Sequence, residues 1–272
     1  MENKHIVICG DSFNIGIGCR DLDNEPYGQL LAKELNKPII NLAKGSSTNF
    51  SIYLQAKYAV ENLSDKVDLV IISPTSYNRV DWFPVSYKFP HGEITNADVN
   101  YHQYPPYGPH TYHVDNQMIQ IDHPMKDDPN YKGAMFTENL MGVVDYWETF
   151  RSKDKESGYY ARFKNEPKER TKTLYDYGIS IHEERINRIQ SIGVITLAHE
   201  LLKRSNINHL ILTHEPVYYK KFIDEINVCE LDWGRLSMIY PDDLPSKHTS
   251  KEGHKVAFEK VLEKLKINGW AI

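Results

Sequence analysis

A serine and a histidine near opposite ends of the chain stand where they could perform nucleophilic chemistry together. Ser12 follows the apolar run His5–Cys9 and the dipeptide Gly10-Asp11. A β-branched run that ends in glycine predicts a strand and a tight turn, and open α/β sheets bind ligands at the carboxyl ends of their strands. His248 stands just before the last apolar-periodic segment. We expect it to return to the same sheet edge and to remove the proton of the Ser12 hydroxyl.

A carboxylate would complete this set, because it fixes the tautomer of the base and stabilises the imidazolium. Asp243 and Asp242 lie five and six residues before His248. We predict Asp243 as the acid, reached across a loop that contains Leu244-Pro245. Asp242 in its place, or a Ser12–His248 dyad with no acid, are the alternatives.

Three short motifs occur in order along the chain. They are Gly10-Asp11-Ser12-Phe13, Asn41–Gly45 followed by Ser46-Ser47, and His248–His254 with Gly253 at its sixth position. Together they resemble the SGNH hydrolases, also called the GDSL-type esterases and lipases. The third motif keeps the family's spacing but has Thr249 where the family commonly has proline. The resemblance covers about residues 1–80 and 180–272.

The resemblance implies a role for each motif. Ser12 would be the nucleophile, and His248 would be the general base. The backbone N–H groups of Ser12 and Gly45 would donate to the oxyanion. In the family an aspartate lies three residues before the histidine, but Pro245 stands there in this chain.

The family's third oxyanion donor is an asparagine in a Gly-x-Asn-Asp motif after the third strand. This chain reads Ser-Pro-Thr-Ser-Tyr-Asn-Arg at 73–79 and lacks the glycine. The role therefore passes to Asn78. Thr75 or Ser76 as a substitute donor, and Arg79 as a source of positive charge, are the alternatives. Loss of one donor costs roughly 10²–10³ in rate.

The elements that must position these residues follow from alternating strand and helix patterns. Strands are predicted at 5–9, 38–42, 67–72 and 209–213, and helices at 26–36, 50–62, 180–204, 217–226 and 251–267. Such alternation implies parallel pairing and right-handed crossovers. We therefore predict one domain over 1–272, a three-layer α/β/α sandwich with a mainly parallel, flavodoxin-like sheet. The predicted buried side of the longest helix comprises Ile186, Ile189, Ile192, Ile195, Leu197 and Leu201.

Between about residues 80 and 178 no sustained periodicity is visible. Eleven of the 18 tyrosines fall in this segment, whereas disordered segments are poor in aromatic residues. We expect an ordered insertion that acts as a lid or binding loop. Its tyrosines would stack on sugar rings or plug the core; they are Tyr101, Tyr104, Tyr107 and Tyr112. Its histidines lack the spacing of a metal site; they are His102, His110, His113 and His123.

Composition narrows the classes of function. A net charge of −5 and a pI near 6.2 argue against a nucleic-acid partner. No apolar run approaches the ~20 residues that a membrane span needs, and we expect no signal peptide, because residues 1–4 lead directly into the first predicted strand. The three scattered cysteines do not form a disulfide framework. We expect a cytoplasmic protein that does not bind membranes.

These expectations combine into one function and one alternative. The chain would hydrolyse an ester, such as an acetyl group on a carbohydrate or a small alcohol, through an acyl-enzyme on Ser12. The resemblance implies no metal and no organic cofactor. The alternative is a scaffold that has lost turnover and binds a glycan or a protein through its aromatic insertion.

Overall fold

The computed structural model describes residues 4–45, 47–82, 110–114, 117–121, 136–139, 172, 175–176, 183–242 and 248–270. Asp243 and most of the aromatic insertion lie outside these residues. The predicted roles of Tyr101, Tyr104, Tyr107, Tyr112 and of the four insertion histidines therefore stay predictions.

A five-stranded parallel sheet forms the centre of the molecule. The described strands are β1 (His5–Cys9), β2 (Ile39–Asn41), β3 (Val67–Ile72), β4 (Arg79–Trp82), β5 (His110–Val114), β6 (Gln117–Ile121), β7 (Phe136–Asn139), β8 (Asn208–Thr213) and β9 (Val228–Glu230). The central sheet has the order β2-β1-β3-β8-β9 with every neighbouring pair parallel. The order reverses direction between β1 and β3, and such a switch point leaves a crevice at the carboxyl ends of the strands.

Helices cover both faces of this sheet. The described helices are α1 (Ser12–Ile15), α2 (Tyr27–Glu34), α3 (Asn49–Leu63), α4 (Glu184–Arg204), α5 (Pro216–Tyr219), α6 (Trp233–Ile239) and α7 (Lys251–Ile267), with a 3₁₀ turn at Glu225–Asn227. Ile6 and Ile8 of β1 pack with α2, α6 and α7. Val7 and Cys9 point to the opposite face and pack with α3 and α4. The fold is thus the α/β/α sandwich with a parallel sheet that the sequence predicts.

The buried side of α4 differs from the prediction. Ile192 and Ile195 are buried, but Ile186, Ile189 and Leu197 are exposed. Successive helical residues turn by about 100°, so residues spaced by three drift around the helix instead of holding one face. The side that packs on the sheet continues instead through Ala198, His199 and Leu202.

The prediction of a single helix at 217–226 is also wrong. The structure has a one-turn helix, α5, then the 3₁₀ turn, and then the short edge strand β9. Tyr219 and Ile223 are both buried, and their spacing of four residues imitates a helix. The chain turns between them because it must lead Val228 into the sheet beside Ile211.

The described part of the insertion contributes two antiparallel strand pairs. β4 pairs with β7, and β5 pairs with β6. Among the described residues, no helix is both long enough and apolar enough to cross a bilayer.

Candidate active site

The structure brings Ser12 and His248 into contact at the carboxyl end of β1. The Ser12 Oγ lies 2.8 Å from the His248 Nε2. Ser12 is 6% exposed, and His248 is half-buried. A hydroxyl at this distance from an imidazole nitrogen is arranged for proton transfer.

The turn that presents Ser12 is built by Asp11. Asp11 caps the single-turn helix α1, where its Oδ1 accepts a hydrogen bond from the Phe13 N–H at 3.1 Å. Ser12 is therefore the first helical residue, separated from the end of β1 by two residues. Glycine is needed at position 10, since a Cβ there would lie 2.3 Å from the Asn14 Nδ2.

Two buried amides fasten this turn to the sheet and to α3. The Asn14 Oδ1 accepts a hydrogen bond from the Tyr27 hydroxyl at 2.9 Å, and the Asn14 carbonyl accepts one from the Asn41 side chain. On the other side of the turn, the Gly10 N–H donates to the Gln55 Oε1 at 2.7 Å. The turn therefore has buried partners on both of its sides, which reduces its freedom to move.

Sequence reasoning missed Asn14 and Gln55. For Gln55 a signal existed, because it stands on the apolar face of α3 with Ile52, Ala56 and Ala59. A polar residue at such a position needs a buried hydrogen-bond partner, and the tight turn after β1 supplies one.

A short antiparallel pairing holds the backbone of His248. The Asp242 N–H donates to the His248 carbonyl at 3.1 Å, and the Ser250 N–H donates to the Tyr240 carbonyl at 2.8 Å. Pro241 lies opposite Thr249 between these bonds. A residue at this position donates no backbone hydrogen bond to the pairing, so proline is tolerated there. The segment before α7 is thereby tied to the end of α6.

The spacing from His248 to Gly253 has a steric reason. A Cβ on Gly253 would lie 1.8 Å from the Thr249 Oγ1, far inside van der Waals contact. The Thr249 hydroxyl in turn donates to the Tyr240 carbonyl at 3.0 Å. The first turn of α7 can therefore pack against the residue after His248 only if position 253 has no side chain.

Aromatic rings support the imidazole of His248. The centroids of the Phe13 ring and the imidazole lie 4.7 Å apart, and Trp233 stacks on Phe13 with 5.6 Å between centroids. The Trp233 Nε1 donates to the Ser73 Oγ at 3.0 Å, which ties this aromatic wall to the end of β3.

His254 is a buried residue beneath the site. It is fully buried, and its Nδ1 accepts a long hydrogen bond of 3.5 Å from the Tyr27 N–H. Burial, and to a smaller extent the neighbouring His248, lower the pKa of His254 to about 4. His254 is thus neutral near pH 7 and packs between Tyr27 and Trp233.

The loop after β2 places Gly45 beside the serine turn. The Lys44 N–H donates to the Gly10 carbonyl at 3.1 Å. The Ser47 N–H and hydroxyl both donate to the Lys44 carbonyl. Within the described residues, no group accepts a hydrogen bond from the N–H of Ser12 or of Gly45.

Lys44 carries a perturbed side chain beside this loop. Burial lowers the pKa of its ammonium group to about 8. A lysine with this pKa stays mostly protonated at neutral pH and loses its charge in mildly alkaline solution.

The loop after β3 makes a second set of contacts with the serine turn. The Thr75 hydroxyl donates to the Asp11 Oδ2 at 2.8 Å, and the Thr75 N–H donates to the Asn49 Oδ1 at 2.9 Å. Both donors of Thr75 are therefore already used, which argues against it as a substitute oxyanion donor. Asn78 is half-exposed, and its N–H donates to the Ser76 Oγ at 3.2 Å.

A small pocket opens between the carboxyl ends of β3 and β8. Its lining includes Thr75, Tyr77, Arg188, Thr213 and Glu215. An Arg188 Nη donates to the Tyr77 hydroxyl at 3.1 Å, and its Nε lies 3.6 Å from the Glu215 carboxylate. Thr75 thus faces both this pocket and the carboxylate next to Ser12.

Comparisons with known proteins add little. No protein-family model matches the chain, and no curated protein matches it. Among the solved structures that match is one from Desulfitobacterium hafniense DCB-2, which is described as a lipolytic protein of G-D-S-L family. The alignment covers 97% of this chain and all of that chain, with 14% identity and a TM-score of 0.31. At these values the similarity carries no conclusion about activity.

Proposed function

We propose that the protein is a serine hydrolase of the SGNH type that cleaves an ester. The observation that carries the proposal is the 2.8 Å contact between the Ser12 Oγ and the His248 Nε2. A buried serine that meets a histidine at a sheet edge is the core of a nucleophile–base pair.

In the proposed reaction His248 accepts a proton and gives it back twice, once during acylation and once during deacylation. In the tautomer with its proton on Nδ1, the imidazole accepts the Ser12 proton at Nε2 while Oγ attacks the ester carbonyl carbon. The imidazolium then gives that proton to the departing alcohol as the carbon–oxygen bond breaks, leaving an acyl-serine. Water attacks this intermediate with the same base and releases the acid and the free serine.

The backbone N–H groups of Ser12 and Gly45 are the proposed donors to the oxyanion. Their availability among the described residues supports this role, and Asn78 is the proposed third donor. Asp243 is the proposed acid. It directly follows Asp242, whose N–H donates to the His248 carbonyl.

The proposed substrate is an O-acyl ester, such as an acetyl group, on a carbohydrate or another small alcohol. A small pocket near Ser12 includes the polar side chains of Tyr77, Arg188 and Glu215 among its lining residues, and these can form hydrogen bonds with a hydroxylated alcohol. Thr75 connects this pocket to the Asp11–Ser12 turn.

Labelling with a fluorophosphonate probe tests the proposal, since the probe phosphonylates activated serines. We expect the wild-type protein to gain one phosphonyl group, located on Ser12 by peptide mass spectrometry. Ser12→Ala should abolish labelling, whereas Ser64→Ala, an exposed serine at the end of α3, should leave it unchanged. A folded wild-type protein that stays unlabelled would favour the binding scaffold instead.

The substrate class needs a second measurement. Initial rates of acid release should be compared for an acetylated monosaccharide and for short-chain and long-chain aryl esters. We expect kcat/KM to be highest for the acetylated sugar. A preference for long acyl chains would contradict the proposed carbohydrate ester.

A further inference from the structure

One guanidinium group connects the three loops that surround Ser12. Arg79 follows the loop after β3 and is 19% exposed. Its Nη1 lies 3.2 Å from the Asp11 Oδ2 in the turn after β1. The same nitrogen donates to the Ser47 carbonyl in the loop after β2, at 3.1 Å.

Both partners of Arg79 are next to groups with a proposed chemical role. Asp11 immediately precedes Ser12, and it caps the helix turn that presents the serine. Ser47 makes two hydrogen bonds to the Lys44 carbonyl, and Lys44 immediately precedes Gly45. A shift of the guanidinium would therefore change the distance between the nucleophile and the Gly45 N–H.

Arg79 also supplies a positive charge beside Asp11, in addition to connecting the loops. The Asp11 side chain is 5% exposed, and a buried carboxylate without a cation is costly. Negative charge also develops on the carbonyl oxygen during attack by Ser12. A neighbouring uncompensated carboxylate would oppose that charge, so a cation at Asp11 favours the transition state.

We infer that Arg79 is a positioning residue of this site. Its guanidinium sets the Ser12 turn against the Gly45 loop and neutralises Asp11, without touching the reacting atoms. The inference rests on the proposed hydrolase function. Lysine would restore the charge as a compact ammonium group but would not reproduce the planar guanidinium.

The test compares Arg79→Ala, Arg79→Lys and Arg235→Ala, a control arginine exposed on α6. The readouts are the rate of Ser12 phosphonylation and the thermal midpoint. We expect Arg79→Ala to label roughly 10²-fold more slowly, since small misplacements of reacting groups cost about this much. Arg79→Lys should recover part of the rate, and Arg235→Ala should label like the wild type.

Added guanidinium ion separates positioning from general stability. At millimolar concentration it should restore part of the labelling rate of Arg79→Ala, whereas sodium chloride at equal ionic strength should not. Wild-type labelling rates in a fully folded Arg79→Ala protein would overturn the inference. A rate loss that follows only the fall in thermal midpoint, without rescue by lysine or guanidinium, would overturn it too.

Hydrogen exchange tests the role of Arg79 even if the protein is not a hydrolase. If the wild-type protein is not labelled, hydrogen exchange still measures how firmly Arg79 holds the two loops. Arg79→Ala should then speed exchange at the hydrogen-bonded amides of Phe13, Lys44 and Ser47 while leaving β8 unchanged. Unchanged exchange at these amides would overturn the positioning role by itself.

Discussion

The backbone N–H of Asp242 donates to the carbonyl oxygen of His248 at 3.1 Å, across a connection of only five residues. This bond fixes where the base enters the site. Asp242 is followed directly by a second aspartate, Asp243. Only one of them needs to serve the imidazole, so their roles can be separated by substitution.

Asp243→Asn should lower kcat/KM by roughly 10²–10⁴, because the imidazole would lose the group that holds its tautomer and stabilises its charge. Asp242→Asn, the matched control, should change it little. Steady-state kinetics on an aryl acetate would measure both. The reverse pattern would assign the acid to Asp242, and two silent variants would indicate a Ser12–His248 dyad.

Asn78→Ala tests the third oxyanion donor. Loss of a donor to the developing charge should lower kcat by roughly 10² with little change in KM. Asn62→Ala removes the same side chain from an exposed position on α3 and should leave both constants unchanged. If Asn78→Ala keeps full activity, the Ser12 and Gly45 amides are sufficient donors.

Gly253→Ala should destabilise the protein by about 1–3 kcal/mol, because the new methyl group would collide with the Thr249 Oγ1. Urea unfolding measures the change. Gly193→Ala is the control, since a Cβ on this α4 residue meets nothing within 4 Å. It should stabilise the protein by about 0.5–1 kcal/mol.

The collision at Gly253 should also be relieved by shortening its partner. In a Thr249→Ala background, the added cost of Gly253→Ala should fall, so the two substitutions should not be additive. Strict additivity would mean that the close approach to Thr249 does not decide the stability of this region.

The pH dependence of stability should reflect His254. Its pKa in the folded protein is about 4, below its ordinary value of 6.5. As pH falls, His254 therefore binds a proton in the unfolded chain before it does so in the folded protein. The contribution of neutral His254 to the free energy of unfolding is complete above pH 6.5 and is lost as pH approaches 4. From His254 alone we expect the free energy of unfolding to fall by about 1–2 kcal/mol between pH 7 and pH 5.

Urea unfolding at pH 7 and pH 5 would test this expectation against His254→Gln. The variant should lose less stability between the two values than the wild type. His209 is also buried with a pKa near 4, so some dependence on pH should remain. An identical loss in both proteins would assign the effect to other groups.

The sequence by itself determined the alternation of strands and helices, because buried parallel strands read as continuous apolar runs. Gly10-Asp11-Ser12 located the turn after β1, and the spacing from His248 to Gly253 marked the entry to α7. These local patterns have local causes, namely a cap, a tight turn and a steric contact.

Only the tertiary structure decided which residues contact these motifs. Gln55 and Arg79 bind groups from other loops, so the sequence did not show which groups they contact. The buried side of α4 was likewise set by the sheet it packs on, and not by its most apolar residues. Contacts between distant segments depend on the whole chain packing, and the 2.8 Å approach of Ser12 and His248 is one of them.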